Sequence, residues 1–191
     1  MYLPSDRYEE IKTIVIEMFK RYDIRNIPID CFEITTKMGI ILKPYSRLAK
    51  DGLEAALAES NDGFCLLRRE GFKPFMVNQW YIFYNDTLPR RRIRFTLMHE
   101  IGHVVLDHLQ ESDLAESEAN FFAKYALAPP PLVNEISPED YMELGSAFDL
   151  SNQFARHAFS YYEKWLNNGE KFYRSEELEL IEQFELSEYL Q

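Results

Sequence analysis

Cysteine is scarce in this chain: only Cys31 and Cys65 occur, far apart and without the CxxC spacing of metal or redox motifs. This scarcity argues against a disulfide scaffold, and both cysteines are expected to be small core residues in a reducing compartment. No apolar run approaches the roughly 20 residues that a membrane span requires. The opening segment, MYLPSDRYEEIK, also lacks the basic start and apolar stretch of a signal peptide. These absences predict a cytoplasmic protein.

Positive charge is scarce as well, since 21 lysines and arginines stand against 32 acidic residues, for a net charge of −11. A nucleic-acid-binding surface must neutralise phosphates, so we expect no direct nucleic-acid binding. From Ser175 onward there are six glutamates and no basic residue, which predicts the solvated face of a C-terminal helix. Apolar side chains, in contrast, are plentiful: 46% hydrophobic residues are enough to form a core and argue against disorder.

The order of patterns along the chain predicts the fold class. Helical spacing of apolar residues begins near Ser5, short β-rich runs fill residues 40–86, and helical spacing returns from about Pro89. The sequence APPP, residues 128–131, ends a helix because proline cannot continue the hydrogen-bond ladder. Helices, then a small twisted sheet, then helices again indicate an α+β protein. The run WYIFYND, residues 80–86, is either an interior strand or an edge strand to which an extended peptide can be added.

The segment FTLMHEIGHVVLDH, residues 95–108, places two histidines and a glutamate within an otherwise apolar helix. On a helix spanning residues 89–109, His99 and His103 project about 40° apart and share one face. Buried imidazoles need a partner, which is either a shared metal ion or, as the alternative, the backbone of the core. Glu100 projects about 100° from His99, beside the pair, where its carboxylate can hold a water molecule bound to the same metal.

The residues HEIGH, 99–103, match the HExxH pattern of zinc hydrolases. A catalytic zinc site takes a third protein ligand and keeps a fourth position open for water. The longer motif HExxHxxGxxH is excluded because Leu106 and Leu109 stand where glycine and histidine are required. On the same helix His108 projects about 180° from His99, so we expect it to face away. The third ligand is therefore expected to be an acid on a second helix.

The segment DLAESEANFFAKYALAPP offers Glu116 and Glu118 as that acid. On a helix, Glu116 projects into the apolar stripe beside Ala119 and Ala123, whereas Glu118 projects to the opposite side. A buried carboxylate must be neutralised, and a metal ion does so, which favours Glu116 as the ligand. The alternative role for Glu116 is a first-turn acid that stabilises the N-terminus of the helix. Asn120, next to Glu116 on this face, is a candidate for orienting a ligand.

Together, RRRIRFTLMHEIGHVVLDH and ESEANFFAKYALAPP resemble the ImmA/IrrE family of metallopeptidases, an HExxH zincin family whose pattern is an RxxFTxAHExGH-like helix followed by ExxAN-x-FA. The upstream strands GFCLL and WYIFYND are similar to those of the family, so that the resemblance covers about residues 8–131. The resemblance implies that His99 and His103 bind zinc, that Glu116 is the third ligand and that Glu100 is catalytic, with one zinc ion per chain. Met98 and the ALAPPP ending depart mildly from the pattern.

The resemblance also implies the fold, the domains and the substrate. The fold is expected to be zincin-like, a small twisted sheet packed against a metal-binding helix pair, with residues 1–133 as the metallopeptidase domain and residues 134–191 as a C-terminal helical extension with an acidic tail. The implied activity is that of a bacterial intracellular regulatory protease. Its substrate would be a helix-turn-helix repressor of a phage or mobile element, or a stress regulator.

Two points of function stay open at this level. The first is whether the chain cleaves such a repressor or is a metal-stabilised binding module that sequesters it; a DNA-binding regulator that uses residues 137–166 is a third reading. The second is the group that stabilises the oxyanion during hydrolysis, for which His157 and Tyr84 are the candidates. The carboxylate of Glu100 is expected to move the proton from water to the leaving amine, with zinc polarising the scissile carbonyl.

Overall fold

The computed structural model describes residues 3–72, 75–167 and 173–184, so the end of the acidic tail lies outside the described residues. The described helices are α1 (Ser5–Arg21), α2 (Cys31–Lys37), α3 (Lys50–Glu59), α4 (Arg90–Val105), α5 (Asp113–Leu127), α6 (Pro130–Ile136), α7 (Tyr141–Ala147), α8 (Asn152–Asn167) and α9 (Ser175–Gln183). The strands are β1 (Ile41–Pro44), β2 (Gly63–Phe72) and β3 (Phe75–Tyr84). This mixed composition, mostly helical with one small sheet, confirms the α+β class, and the zincin-like arrangement stays a prediction.

The described residues form two compact units. One is Cys31–Asn120, which holds the whole sheet, α2, α3, α4 and the first half of α5. The other consists of the described parts of Met1–Asp30 and Phe121–Gln191, with the remaining helices. The domain boundary after residue 133 that the sequence suggested stays a prediction. No helix in the described part of the chain is both long and apolar enough to cross a lipid bilayer.

The sheet has the strand order β1-β3-β2. Strand β3 lies in the middle, parallel to β1 and antiparallel to β2, with Ile82 opposite both Leu42 and Cys65. The side chain of Ile82 is fully buried. The run WYIFYND is therefore an interior strand, and among the described residues β2 has a neighbour on one edge only.

The helix α3 contradicts the expectation that residues 40–86 are entirely β-rich. It interrupts the strands at KDGLEAALAE, a stretch rich in alanine, leucine and glutamate, which are strong helix formers. Ala56 is the buried residue of this helix. The Tyr45 hydroxyl donates to the carbonyl of Ser60 at 2.9 Å, which ties the end of the helix to the turn after β1.

Four helices in the described residues end in a left-handed residue that is followed by the same backbone hydrogen bond. These residues follow α1, α2, α4 and α7 and are Asp23, Gly39, Asp107 and Asp149, with φ between 50° and 71°. The next N–H then donates at 2.9 Å to the carbonyl five residues earlier, as in a Schellman motif. In α4 this donor is the N–H of His108 and the acceptor is the carbonyl of His103. The helix therefore ends at Val105 rather than continuing to residue 109, and the chain turns back on itself.

Gly63 marks a close approach between β2 and its neighbours, because a Cβ atom there would lie 2.7 Å from the Phe83 carbonyl oxygen and 2.8 Å from Cγ2 of Thr96. Replacing Gly63 with alanine is expected to lower the free energy of unfolding by about 1–3 kcal/mol through overpacking. Denaturant unfolding monitored by circular dichroism measures this change. The matched control is Gly52→Ala on α3, whose Cβ would meet only Leu48 Cβ at 3.7 Å. This control is expected to stabilise the chain by about 1 kcal/mol through helix propensity, and equal shifts in both variants would contradict the packing argument.

Candidate metal centre

Three side chains from α4 and α5 converge on one point. Nε2 of His99 and Nε2 of His103 lie 3.0 Å apart, and the two carboxylate oxygens of Glu116 lie 3.4 Å from His99 Nε2 and 3.2 Å from His103 Nε2. Two donors that each lie about 2.1 Å from a tetrahedral zinc ion are separated by about 3.4 Å. The observed separations therefore suit a single small cation, and these three residues are the one group of metal-ligand type found among the described residues.

The protonation of the two imidazoles also suits a metal ion. Burial lowers the pKa of His99 to about 4, and burial followed by the proximity of His99 lowers the pKa of His103. Both rings are therefore neutral near pH 7, which is the form that ligates metals. Nδ1 of His99 is buried with no hydrogen-bond partner in the described chain, and neither ring bonds to a backbone group there. The alternative of two histidines held by the backbone finds no support, and the donor set fits a divalent ion such as zinc.

Glu100 lies beside these three residues and is 6% exposed. Its carboxylate accepts hydrogen bonds from the thiol and from the backbone N–H of Cys65 on β2. Burial raises the pKa of Glu100 to about 7, the range in which a carboxyl group serves best as a general base and acid near neutral pH. Strand β2 thus fixes the orientation of a carboxyl group that α4 supplies.

Cys65 was expected to be an ordinary core residue, and the structure places it in a cleft instead. The cleft has a volume of about 890 Å³ and is lined by His99, Glu100, His103 and Glu116 on one side and by Phe64, Cys65 and Leu66 of β2 on the other. Burial raises the pKa of the Cys65 thiol, so it stays protonated and can donate to Glu100. Cys31, in contrast, is fully buried as expected and donates to the carbonyl of Arg94 at 3.3 Å.

The helical projection placed Glu116 on the buried side of α5 and Glu118 on the exposed side, and the structure shows the reverse. The side chain of Glu116 is 51% exposed and faces the cleft, whereas that of Glu118 is 8% exposed and lies 2.9 Å from His108 Nε2. The reason is that the buried arc of the first turns is centred near Ala115 and Ala119, with Glu118 at one edge and Glu116 at the other. The structure therefore brings Glu116 to the two histidines, but not through a buried stripe.

His108 is a second residue whose expected position is wrong. Because α4 ends at Val105 and Asp107 is left-handed, His108 does not face away: its Nδ1 lies 3.0 Å from Nδ1 of His103. This contact was not predictable from helical spacing, which continues to residue 109, because aspartate gives no strong signal that a helix ends. Asn120 lies near His99 and Glu116: its side chain donates to the Glu116 carbonyl at 2.8 Å and opposes the lowering of the His99 pKa.

Neither of the two candidates for oxyanion stabilisation is among the described residues that line the cleft. Tyr84 packs edge-to-face on Phe32, with ring centroids 6.1 Å apart, and does not line the cleft. His157 is an exposed residue of α8 in the other compact unit.

An HExxH helix joined by a carboxylate from a second helix is the donor arrangement of a metallopeptidase. The family model of the IrrE N-terminal-like domain, Peptidase_M78, matches residues 55–160, which is more than half of the chain and includes both motif segments. The chain belongs to this family, which confirms the ImmA/IrrE resemblance and gives it a metallopeptidase-type function. Neither the curated proteins nor the solved structures gave a match.

Proposed function

We propose that the chain is a zinc-dependent metallopeptidase that hydrolyses peptide bonds in a protein substrate. The observation that carries this proposal is the convergence of His99, His103 and Glu116 within 3.4 Å of one another, in a cleft that Glu100 also lines. Family membership supports a peptidase. The proposed substrate is a helix-turn-helix repressor of a phage or mobile element, or a stress regulator, and this part depends on the family resemblance alone.

Each side chain of the site has its own role in the proposed hydrolysis. His99, His103 and Glu116 would hold the zinc ion, which when bound lowers the pKa of water and polarises a scissile carbonyl. The Glu100 carboxylate takes the proton from the attacking water and gives it to the nitrogen of the leaving amine. The two hydrogen bonds from Cys65 hold that carboxylate in one orientation during both transfers.

The substrate is proposed to bind as an extended segment along β2. The residues Phe64–Leu66 of this strand line the cleft, and the outer edge of β2 has no partner strand in the described residues. An extended peptide that adds to such an edge gains main-chain hydrogen bonds. Cleavage is therefore expected in a linker or a locally unfolded segment of the substrate rather than inside a helix.

Cleavage of unstructured peptides by the zinc-loaded chain tests the proposed function. The purified chain, with one equivalent of zinc, is incubated with a library of peptides from a bacterial proteome, and new termini are identified by mass spectrometry. We expect new termini that disappear with a chelator and return when zinc is restored. A zinc-loaded chain that yields no new termini would contradict the proposal.

Negative charge dominates the rim of the cleft. Glu59, Glu111 and Asp113 line it, and none pairs with a cation in the part of the chain that the structure describes. Asp62 is neutralised by Arg92, with both hydrogen bonds at 2.8 Å. No lysine or arginine is among the described residues that line the cleft. Basic residues near the scissile bond are therefore expected to be favoured.

Reversing the rim charge is expected to reverse this preference. In the double variant Glu59→Lys/Glu111→Lys, the ratio of kcat/KM for a lysine-rich peptide to that for a glutamate-rich peptide is expected to fall by about tenfold at low salt. Higher ionic strength screens these exposed charges, so the change should shrink at about 1 M salt. The control is Asp51→Lys, an exposed acid of α3 that does not line the cleft. An unchanged ratio in the double variant would contradict a role for the rim.

A further inference from the structure

A line of hydrogen-bonded side chains extends from His103 away from the ligand atoms. Nδ1 of His103 lies 3.0 Å from Nδ1 of His108, and Nε2 of His108 lies 2.9 Å from Oε2 of Glu118. The side chains of His108 and Glu118 are only 11% and 8% exposed, so water competes little for these bonds. We refer to these two residues as the His108–Glu118 pair.

We propose that the His108–Glu118 pair positions His103 for metal binding by fixing which ring nitrogen of His103 carries the proton. A carboxylate only accepts hydrogen bonds, so Glu118 takes the N–H of His108 Nε2. A neutral His108 then has a lone pair at Nδ1, which accepts the N–H of His103 Nδ1. Nε2 of His103 is left with its lone pair, and this is the nitrogen that faces His99 and Glu116. The inference rests on the proposed metal site.

The backbone holds this arrangement in place. The left-handed residue Asp107, with φ of 55°, ends α4, and the N–H of His108 donates to the carbonyl of His103 at 2.9 Å. His108 therefore contacts the same residue through its backbone and through its ring. His99 has no such line of bonds: Asn120 is a side-chain hydrogen-bond partner of His99, and Nδ1 of His99 has no hydrogen-bond partner within the described residues. The pair thus acts on one of the two histidines.

Two replacements of His108 separate positioning from packing. In His108→Asn the side-chain carbonyl oxygen stands near the place of Nδ1 and can accept the His103 proton, whereas His108→Leu fills the volume without an acceptor. Loss of a group that orients a metal ligand lowers metal affinity by about 10–100-fold. We expect that loss in His108→Leu and most of the wild-type affinity in His108→Asn, measured by zinc competition with a chromophoric chelator on the full chain. His157→Leu, which removes an exposed histidine, is the matched control and is expected to leave the affinity unchanged.

The tautomer of His103 gives a readout that does not depend on zinc. Long-range ¹H–¹⁵N spectra of the metal-free protein at neutral pH should show His103 protonated at Nδ1 in the wild type and in His108→Asn. In His108→Leu we expect the proton to shift towards Nε2. Glu118→Leu breaks the same line of bonds from its far end, so it should also weaken zinc binding. The double variant His108→Leu/Glu118→Leu should bind zinc no more weakly than His108→Leu alone, because both changes remove one interaction.

The outcomes distinguish this inference from the proposed function. If the wild type binds zinc and His108→Leu keeps both the affinity and the His103 tautomer, the positioning role is overturned while the peptidase proposal stands. The role of the acceptor is also overturned if His108→Asn binds zinc as weakly as His108→Leu. It is likewise overturned if the losses of zinc affinity in His108→Leu and Glu118→Leu add in the double variant. If the wild type binds no zinc, the metal site fails, and the tautomer spectra still test the hydrogen-bonded line. Should His108→Leu not fold, Glu118→Leu provides the same comparison.

Discussion

Replacing Glu100 with glutamine is expected to abolish peptide hydrolysis while the chain keeps about one zinc ion. Glutamine has nearly the shape of glutamate and still accepts hydrogen bonds from Cys65, but its amide cannot take a proton from water. A positioned general base contributes about 10²–10⁴-fold to the rate. We therefore expect kcat to fall by at least that range, with little change in zinc content measured by elemental analysis.

The matched control for this prediction is Glu54→Gln, which makes the same chemical change at an exposed glutamate of α3 that does not line the cleft. It should leave kcat within about twofold, since surface changes away from the reacting atoms are usually small. The Glu100 variant also separates hydrolysis from sequestration. A module that only binds a repressor would keep its full effect in Glu100→Gln, and such a result would overturn the peptidase proposal.

The local parts of the fold were predictable because they depend on residues near in sequence. The helix α4, the strand runs and the end of α5 at the prolines after Leu127 follow from periodicity and from the missing N–H of proline. Helix α3 was also predictable from its alanine and leucine content, and it was missed because its neighbours are β-rich. The position of β3 between β1 and β2 was not predictable, since it depends on pairing with Ile41–Pro44 and Gly63–Phe72, which are distant in sequence.

In the candidate site too, the features set by residues near in sequence were predictable and the others were not. His99, Glu100 and His103 follow from spacing on one helix, because residues one turn apart share a face. Of the two glutamates of α5, Glu116 is the one whose carboxylate lies next to His99 and His103, although its burial was not as expected. His108 was misplaced because its position depends on the left-handed backbone of Asp107.

Other helices of the described chain also end at a left-handed aspartate, which makes their ends hard to predict from sequence. Five described helices end in a left-handed residue, and three of these residues are aspartate: Asp23, Asp107 and Asp149. Aspartate adopts this conformation at modest cost because its short polar side chain bonds locally. A search for glycine as the stop signal therefore finds the end of α2, at Gly39, and misses the end of α4. The left-handed Asp107 places His108 next to His103. The contact between His108 and the buried Glu118 depends on the same turn.

Removing Glu116 is expected to remove zinc from the chain. Two imidazoles would remain as protein ligands, and the affinity is expected to fall by more than the roughly 100-fold that an orienting partner contributes. In the wild type, zinc at about 1,000 times its Kd should raise the free energy of unfolding by about 4 kcal/mol, and in Glu116→Ala it should raise it by little. Denaturant unfolding with and without zinc, together with elemental analysis, measures both effects, and Glu111→Ala is the matched control.

The metal-free form of Glu116→Ala decides between the two roles that the sequence left open. If Glu116 mainly stabilised the N-terminus of α5, its loss would cost about 0.3–1 kcal/mol whether or not zinc is present. If it is a metal ligand with half of its side chain exposed, the metal-free stability should change by less than about 0.5 kcal/mol, and the difference should emerge only when zinc is added. A variant that is destabilised equally in both conditions, and that still carries zinc, would show that the carboxylate supports the helix and that the third ligand lies elsewhere.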